Sequence, residues 1–179
     1  MEHIRVDSKI RLEQVNTSMA PVIYEAIDKD REYLSKWLPF VEYTNRVEDT
    51  KAFIASITRN DNKKDLVYSI YYQENFAGLI GFKDTDWVNR KTELGYWLVK
   101  NMQKKGIISS CVAKLIRFAF RKQKMNRIQI KVAAGNLPSE KIPGKLGFTF
   151  EGTERQGERH KNGYVNLKVY SLLREEMKQ

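Results

Sequence analysis

The chain has one cysteine, Cys111, and two histidines, His3 and His160. A lone cysteine excludes an internal disulfide framework, and so few soft ligands, spread so far apart, speak against a structural zinc site. No metal is expected. No stretch approaches the roughly 18 consecutive apolar residues that a membrane-crossing helix needs, so no membrane partner is expected. The first residues, MEHIRVDSKI, lack the apolar centre of a secretory signal, which makes the cytoplasm the default location. Neither G-x-x-x-x-G-K-[ST] nor G-x-G-x-x-G occurs, which removes the common nucleotide fingerprints. Linkers, low-complexity segments and internal repeats are also missing. Residues 1–179 are therefore expected to form a single domain, long enough to bury a sizeable core.

Positive charge, by contrast, is in excess. The 32 Lys and Arg outnumber 22 Asp and Glu, a net charge of +10, with basic residues scattered along the whole chain. Such a balance serves solubility, or it suits a polyanionic partner: RNA, a ribosome or a phosphate-rich cofactor. There is no RNP-like aromatic motif, no run of five basic residues and no helix-turn-helix pattern, which argues against a dedicated nucleic-acid-binding module.

Hydrophobic periodicity outlines a mixed α/β chain. Lys9–Val15 alternates weakly as a first strand. Met19–Asp30 reads as a helix with Val22, Ile23, Ala26 and Ile27 on one face, Ser18 as its cap and Pro21 in its first turn. Leu34–Phe40 is a helical turn stopped by Pro39. Val47–Arg59 reads as a helix burying Phe53, Ile54 and Ile57. Residues 66–72 and 76–82 form a hairpin across Gln73–Glu74–Asn75. Residues 91–99 are a fourth strand, in which Gly95 marks a bulge or a bend where something approaches the backbone. Ile107–Lys122 is the strongest helix: Ile107, Ile108, Cys111, Val112, Leu115, Ile116 and Ala119 share one face, with Lys114, Arg117 and Arg121 opposite. Residues 127–133 form a fifth strand. A short helix near Ser139–Leu146 follows, then strands near Phe148–Glu154 and Tyr164–Leu173. The pattern describes a mostly antiparallel sheet of seven strands with one β-α-β crossover around the long helix.

The passage from fourth strand to long helix is chemically distinctive. Gln103, Lys104, Lys105 and Gly106 separate Tyr96–Val99 from Ile107. The first amides of a helix have no intrahelical partners, and together with the helix dipole they attract an anion. A glycine there lets the backbone approach a phosphate closely, and two lysines add charge. The loop reads either as a pyrophosphate cradle or as a polar helix cap.

Several segments resemble one family. QKKGIISSCV (103–112) is similar to the coenzyme A motif of the GNAT superfamily of N-acetyltransferases, Q/R-x-x-G-x-G/A followed by a helix. The nearest likeness is to its RimJ/RimL-type branch, which acts on N-terminal amines of ribosomal proteins. LSKWLPFV (34–41) resembles the branch's W-L-P segment and TELGYWL (92–98) its A-E-I-G-Y-W-L strand. NLPSEKIPGKLGFTFEG (136–152) resembles its N-x-x-S…L-G-F…E-G run, and NGYVNLKVYS (162–171) its closing strand. The likeness covers nearly the whole chain. Ile108 departs from the Gly or Ala of the general motif, as the branch allows, and Lys104 stands where the branch often has Gly.

The resemblance implies a GNAT fold whose fourth and fifth strands splay apart to admit the pantetheine arm of acetyl-CoA. Tyr96, Trp97, Leu98 and Val99 would pair with that arm through backbone groups. Gln103, Lys104, Lys105, Gly106, Ile107, Ile108 and Ser109 would bind the pyrophosphate. The implied reaction passes an acetyl group to an amine through a tetrahedral intermediate, whose oxyanion needs an N–H donor. An α-amine, with a pKa near ~7.7–8, needs only a modest base to attack. Asn136 would hold the pantetheine arm and Ser139 would protonate the leaving thiolate; Ser139 as helix cap, with Asn136 a loop residue, is the structural alternative. Glu158 matches the branch's general base, or is a solvated loop carboxylate. Glu93 is the rival base, or a structural strand residue, and His160 ranks third. Trp37 and Phe40 would wall the acceptor pocket, or pack in the core. Cys111 lies on the buried stripe, which disfavours covalent transfer through its sulfur. The implied acceptor is a protein N-terminus, with ribosome association suited to the basic surface. A small amine such as a polyamine or an antibiotic, or a non-catalytic acyl-CoA- or RNA-binding module, are the alternatives. Assembly into a homo-oligomer is left open.

Overall fold

The computed structural model of the chain describes residues 3–58 and 65–177. Its strands are β1 (His3–Arg5), β2 (Ile10–Gln14), β3 (Val67–Tyr72), β4 (Asn75–Asp86), β5 (Lys91–Leu98), β6 (Arg127–Ala133), β7 (Thr149–His160) and β8 (Gly163–Leu173). Its helices are α1 (Ala20–Lys29), α2 (Arg31–Leu34), α3 (Val47–Thr58), α4 (Ile107–Arg121) and α5 (Leu137–Lys145). The sheet has eight strands rather than seven, in the order β1-β2-β3-β4-β5-β6-β8-β7. The additional strand is β1, a three-residue edge piece too short to show an alternating pattern. Among the described residues no helix is long and apolar enough to cross a membrane.

All neighbours are antiparallel except β5 and β6, which pair in parallel at Lys91–Arg127, Thr92–Ile128 and Glu93–Gln129. Pairing ends there. From Leu94 to Leu98, β5 is bonded to β4 on one side and, among the described residues, presents an unpaired edge on the other. This is the expected splay.

Alternation along the strands feeds a core on each face of the sheet. Ile80, Phe82 and Leu94 pack with α4, whose buried side chains are Ile107, Ile108, Cys111, Val112, Leu115, Ile116, Ala119 and Phe120. Each large apolar side chain removed from water stabilises the fold by roughly 1.5–3 kcal/mol before chain entropy is counted. Leu79 and Trp97 point the other way, onto Ile23 and Ile27 of α1, Leu34, Val41 and Ile54. Gly78 lets β4 and β5 meet: a Cβ there would lie 2.1 Å from the Trp97 carbonyl oxygen.

Several local expectations are corrected. Asn16, not Ser18, caps the segment before α1, accepting from the Ser18 amide. Val22 is exposed, because the residues α1 turns fully inward are Ala20, Ile23 and Ile27. Pro39 opens a 3-10 turn (Pro39–Tyr43) instead of stopping a helix, since its fixed φ suits a first helical position. Phe53 is exposed; the end of the predicted helix at Arg59 lies outside the described residues. Gly95 pairs regularly with Gly81, and the irregularity falls between Lys83 and Asp86, where Asp84 takes a φ of 53°. The charged run after Glu154 is strand, not loop: β7 continues to His160.

Candidate active site

Two clefts flank β5 and share Trp37, Leu38, Tyr96 and Trp97 as a common wall. The first, of about 420 Å³, is lined by Tyr96, Trp97, Leu98, the loop from Met102 to Ser109, and α5 residues including Asn136, Ser139, Lys141 and Lys145. Gly106 is the N-cap of α4 with φ 74°, a left-handed conformation that glycine adopts without strain. The space where its Cβ would stand is open to 4 Å. The first intrahelical bond runs from the Ser110 amide to the Gly106 carbonyl at 3.1 Å, so the amides of Ile107, Ile108 and Ser109 have no intrahelical acceptor. Ile108 itself is buried against the core, so the larger residue at this motif position turns away from the loop. Lys104 also has a positive φ, 61°, in the left-handed region that favours glycine. The Gln103 side-chain amide donates to the Tyr33 hydroxyl and pins the loop to α2. Val99 stands apart: its amide donates to the Ala77 carbonyl at 2.8 Å and its side chain is in the core.

At the seam, the Asn136 side chain accepts from the Ser139 amide at 3.3 Å, so Asn136 is the helix cap and Ser139 the capped residue, the reverse of the capping alternative. That frees the Ser139 hydroxyl, which donates to the Tyr96 hydroxyl at 3.3 Å. Burial pushes the Tyr96 phenol up to about 12, so it stays neutral and keeps its proton.

The second cleft, of about 530 Å³, is lined by Trp37, Phe40, Tyr43, Phe53, Ile57, Asp65, Lys83, Gly95 and Glu158 among others. Trp37 and Phe40 thus stand on its wall, with Phe40 39% exposed rather than in the core. Gly95 contributes room instead of a bulge. Glu158 is brought in by an irregularity of β7 between Glu154 and Glu158, where Gln156 takes a φ of 53°. One Glu158 oxygen, Oε2, lies 2.8 Å from His160 Nε2. Among the described residues the other carries no hydrogen bond.

Glu93 occupies a different setting. It is 7% exposed and lines neither cleft. Lys83 Nζ is 2.8 Å from its Oε1, while Lys131 Nζ at 4.0 Å and Gln129 Nε2 at 3.5 Å face its Oε2. Burial opposes the charge on Lys83, yet the carboxylates of Glu93, Asp84 and Glu158 outweigh it and raise the Lys83 pKa. Cys111 is fully buried, and burial pushes its thiol up to about 12, the opposite of an activated nucleophile.

Residues 9–149 match the family described as the acetyltransferase (GNAT) domain. The chain belongs to the GNAT acetyltransferase family. Along 96% of its length it is 32% identical to the putative ribosomal N-acetyltransferase YdaF of Bacillus subtilis, covering 95% of that protein. It superposes on RimL, a ribosomal L7/L12 α-N-protein acetyltransferase in complex with coenzyme A, with a TM-score of 0.91 and 25% identity, covering 96% of this chain and 98% of that one. A microcin C7 self-immunity acetyltransferase in complex with acetyl-CoA and AMP superposes with a TM-score of 0.89 at 28% identity, covering 95% of each chain. This GNAT acetyltransferase uses acetyl-CoA as acyl donor and an amine as acceptor. The first cleft has the features such a donor needs: an unpaired strand edge, free helix amides and an open left-handed glycine.

Sequence reasoning took Tyr96 for a backbone contact and missed its hydroxyl. It also missed Lys141 and Lys145, whose i, i+4 spacing beside Asn136 was a readable signal, and Tyr33, Tyr43, Asp65 and Lys83, for which no local pattern exists.

Proposed function

We propose that this enzyme acetylates the N-terminal α-amine of a ribosomal protein in the cytoplasm, with Glu158 as its general base. The observation that carries the reading is the junction at Tyr96–Trp97. The cleft holding the start of α4 lies on one side, and the aromatic cleft holding Glu158 lies on the other. The names and functions of the relatives support the choice of acceptor.

When bound, acetyl-CoA supplies a thioester, an acyl group already activated towards an amine. The loop amides of Ile107, Ile108 and Ser109, with Gln103, Lys104, Lys105 and Gly106, hold the diphosphate of the donor. The free edge of β5 at Tyr96 to Leu98 offers N–H and C=O groups to an extended ligand, and Asn136 fixes the start of α5 beside it. Val99 supports this edge from the core instead of contacting the ligand. Trp37, Phe40 and Tyr43 wall an extended acceptor. His160 orients Glu158, whose second oxygen takes a proton from the incoming ammonium, directly or through a water. Ser139 and Tyr96 form the hydrogen-bonding pair that faces the leaving sulfur, with Ser139 as the proton source: its hydroxyl turns from Tyr96 to the thiolate, gives up its proton and takes one back from water. Glu93 anchors Lys83 and keeps that cation at the cleft wall.

A small amine is the second reading, favoured by the likeness to the microcin C7 self-immunity enzyme. Release of free CoA thiol, followed with ribosomal-protein N-terminal peptides, the same peptides blocked at the α-amine, polyamines and aminoglycosides, separates the two. Turnover of the free peptides alone is expected. Turnover confined to polyamines or aminoglycosides would overturn the protein acceptor.

A further inference from the structure

The net charge of this protein is not spread over it. Between Glu93 and Glu140 there is no Asp or Glu, and ten Lys and Arg stand there, equal to the whole excess of +10. The rest of the chain is balanced. Three of these cations, Lys114, Arg117 and Arg121, lie along the outer side of α4, spaced i, i+3 and i+7, so that they share one stripe about 10 Å long. Arg117, Arg121, Lys122 and Lys124 are exposed and Lys114 is half-buried. Arg90 extends the stripe, its guanidinium donating to the Lys124 carbonyl at 3.4 Å.

Among the described residues none of the five cations from Lys114 to Lys124 is in an ion pair, whereas Arg11, Arg31, Arg127, Lys131 and Lys168 all are. Asp7, whose charge reaches Cys111 of this helix, is already engaged, accepting from the amides of Lys9 and Ile10. Arg121 and Lys122 complement the C-terminal end of the helix dipole, but Lys114 and Arg117 sit too far up the helix for that to account for them.

We infer that the outer face of α4 docks on the phosphate backbone of structured RNA. An acidic protein surface matches this face in sign as well; the ribosomal setting proposed above favours RNA, and polyglutamate stands for the alternative in the test. A membrane would call for exposed apolar side chains, and the apolar stripe of α4 is spent in the core. No exposed aromatic side chain lies on the helix face, so contact is with phosphates and independent of base sequence. The aromatic acceptor cleft is on the opposite face of the sheet, against α1 and α3, so RNA and acceptor do not compete. This deepens the ribosomal reading and rests on it for its setting, but it is tested by binding alone.

The test is fluorescence anisotropy of a labelled RNA hairpin with the full chain, in saturating CoA so that the diphosphate loop is filled. Four or so phosphate contacts predict a slope of log K against log salt of about −3 to −4, roughly a hundredfold loss between about 50 and 200 mM salt. Combining Lys114→Gln, Arg117→Gln and Arg121→Gln is expected to flatten that slope by about three, while peptide acetylation stays at the wild-type rate. The charge-preserving set Lys114→Arg, Arg117→Lys and Arg121→Lys is expected to keep the wild-type slope. If the triple Gln variant fails to fold, Arg117→Gln alone carries the test, with a change of about one. An unchanged slope in the Gln variants overturns the inference. So does wild-type protein that ignores the hairpin yet binds phosphatidylserine vesicles or polyglutamate. Loss of peptide acetylation with intact RNA binding would strike the acceptor reading and leave this one standing.

Discussion

The two clefts beside β5 are built from different materials. The proposed donor cleft offers backbone groups to its ligand: amides at the start of α4, a strand edge, and a glycine in a left-handed conformation. The acceptor cleft is mostly side chains, gathered from the 3-10 turn after Pro39, α3, β4, β5 and β7. A backbone site is fixed by where the chain turns, so it takes any ligand that presents the same diphosphate and amide groups. A side-chain site changes with each substitution. One fold can thus keep a single donor while its acceptor varies.

The contrast predicts that damage to the two clefts separates by kinetic constant. The largest effect is expected from Glu158→Gln, which removes the proposed base and should lower kcat by about 10²–10⁴, with acetyl-CoA affinity by calorimetry unchanged. Glu93→Gln should leave kcat within a fewfold of wild type. Equal losses from both would shift the base towards β5. Next is Gly106→Val. A β-branched residue at a φ of 74° costs on the order of 1–2 kcal/mol, and restoring the loop for binding should weaken acetyl-CoA by about tenfold, with KM for the acceptor unaffected. Loss of acceptor affinity alone would break the division between the clefts.

A smaller effect, of opposite sign in stability, is expected from Lys104→Gly. Relief of its positive φ should raise Tm by about 2–4 °C, while loss of one cation weakens acetyl-CoA only a fewfold. The smallest concerns the wall that carries Glu158. Glu151 of β7 accepts from Arg127 of β6 and from the Ser171 hydroxyl of β8 at 2.8 Å. The Arg127 guanidinium holds its carboxyl down at about 2, well below the usual carboxylate range. A lowered folded-state pKa stabilises the protein above the unfolded value and ceases to do so as pH falls towards about 2. The side chain is over a third exposed, so solvent screening keeps the contribution below about 1 kcal/mol. Urea melts of wild type and Glu151→Gln should therefore differ most near neutrality and converge between about pH 4 and 2.

Backbone sites announce themselves in sequence, and the donor cleft did. Gly106 before a strongly amphipathic helix, after a strand rich in aromatics, located the loop and the helix without any distant contact, while the splay came from the family resemblance. Boundaries failed where one residue carried two meanings. Pro39 both ends a helix and begins one, and the run after Glu154 looks like a loop because a two-stranded extension at a sheet edge buries neither face. The acceptor cleft was legible only through the resemblance of W-L-P and of Glu158 to family positions. Tyr43 of the 3-10 turn, Asp65 just before β3 and Lys83 of β4 line it together although they are far apart in sequence, which no local pattern encodes. The Ser139–Tyr96 contact was missed for the same reason, since it spans 43 residues.

The unpaired edge of β5 has a bearing on handling the protein as well as on its chemistry. Five residues of an interior strand have no partner strand on one side, a condition that sheets elsewhere avoid because such edges recruit foreign strands. In the proposed arrangement the donor lies along that edge, and a purified sample stripped of it loses that cover. Concentrated stocks should accordingly store longer, and clump less, with coenzyme A in the buffer.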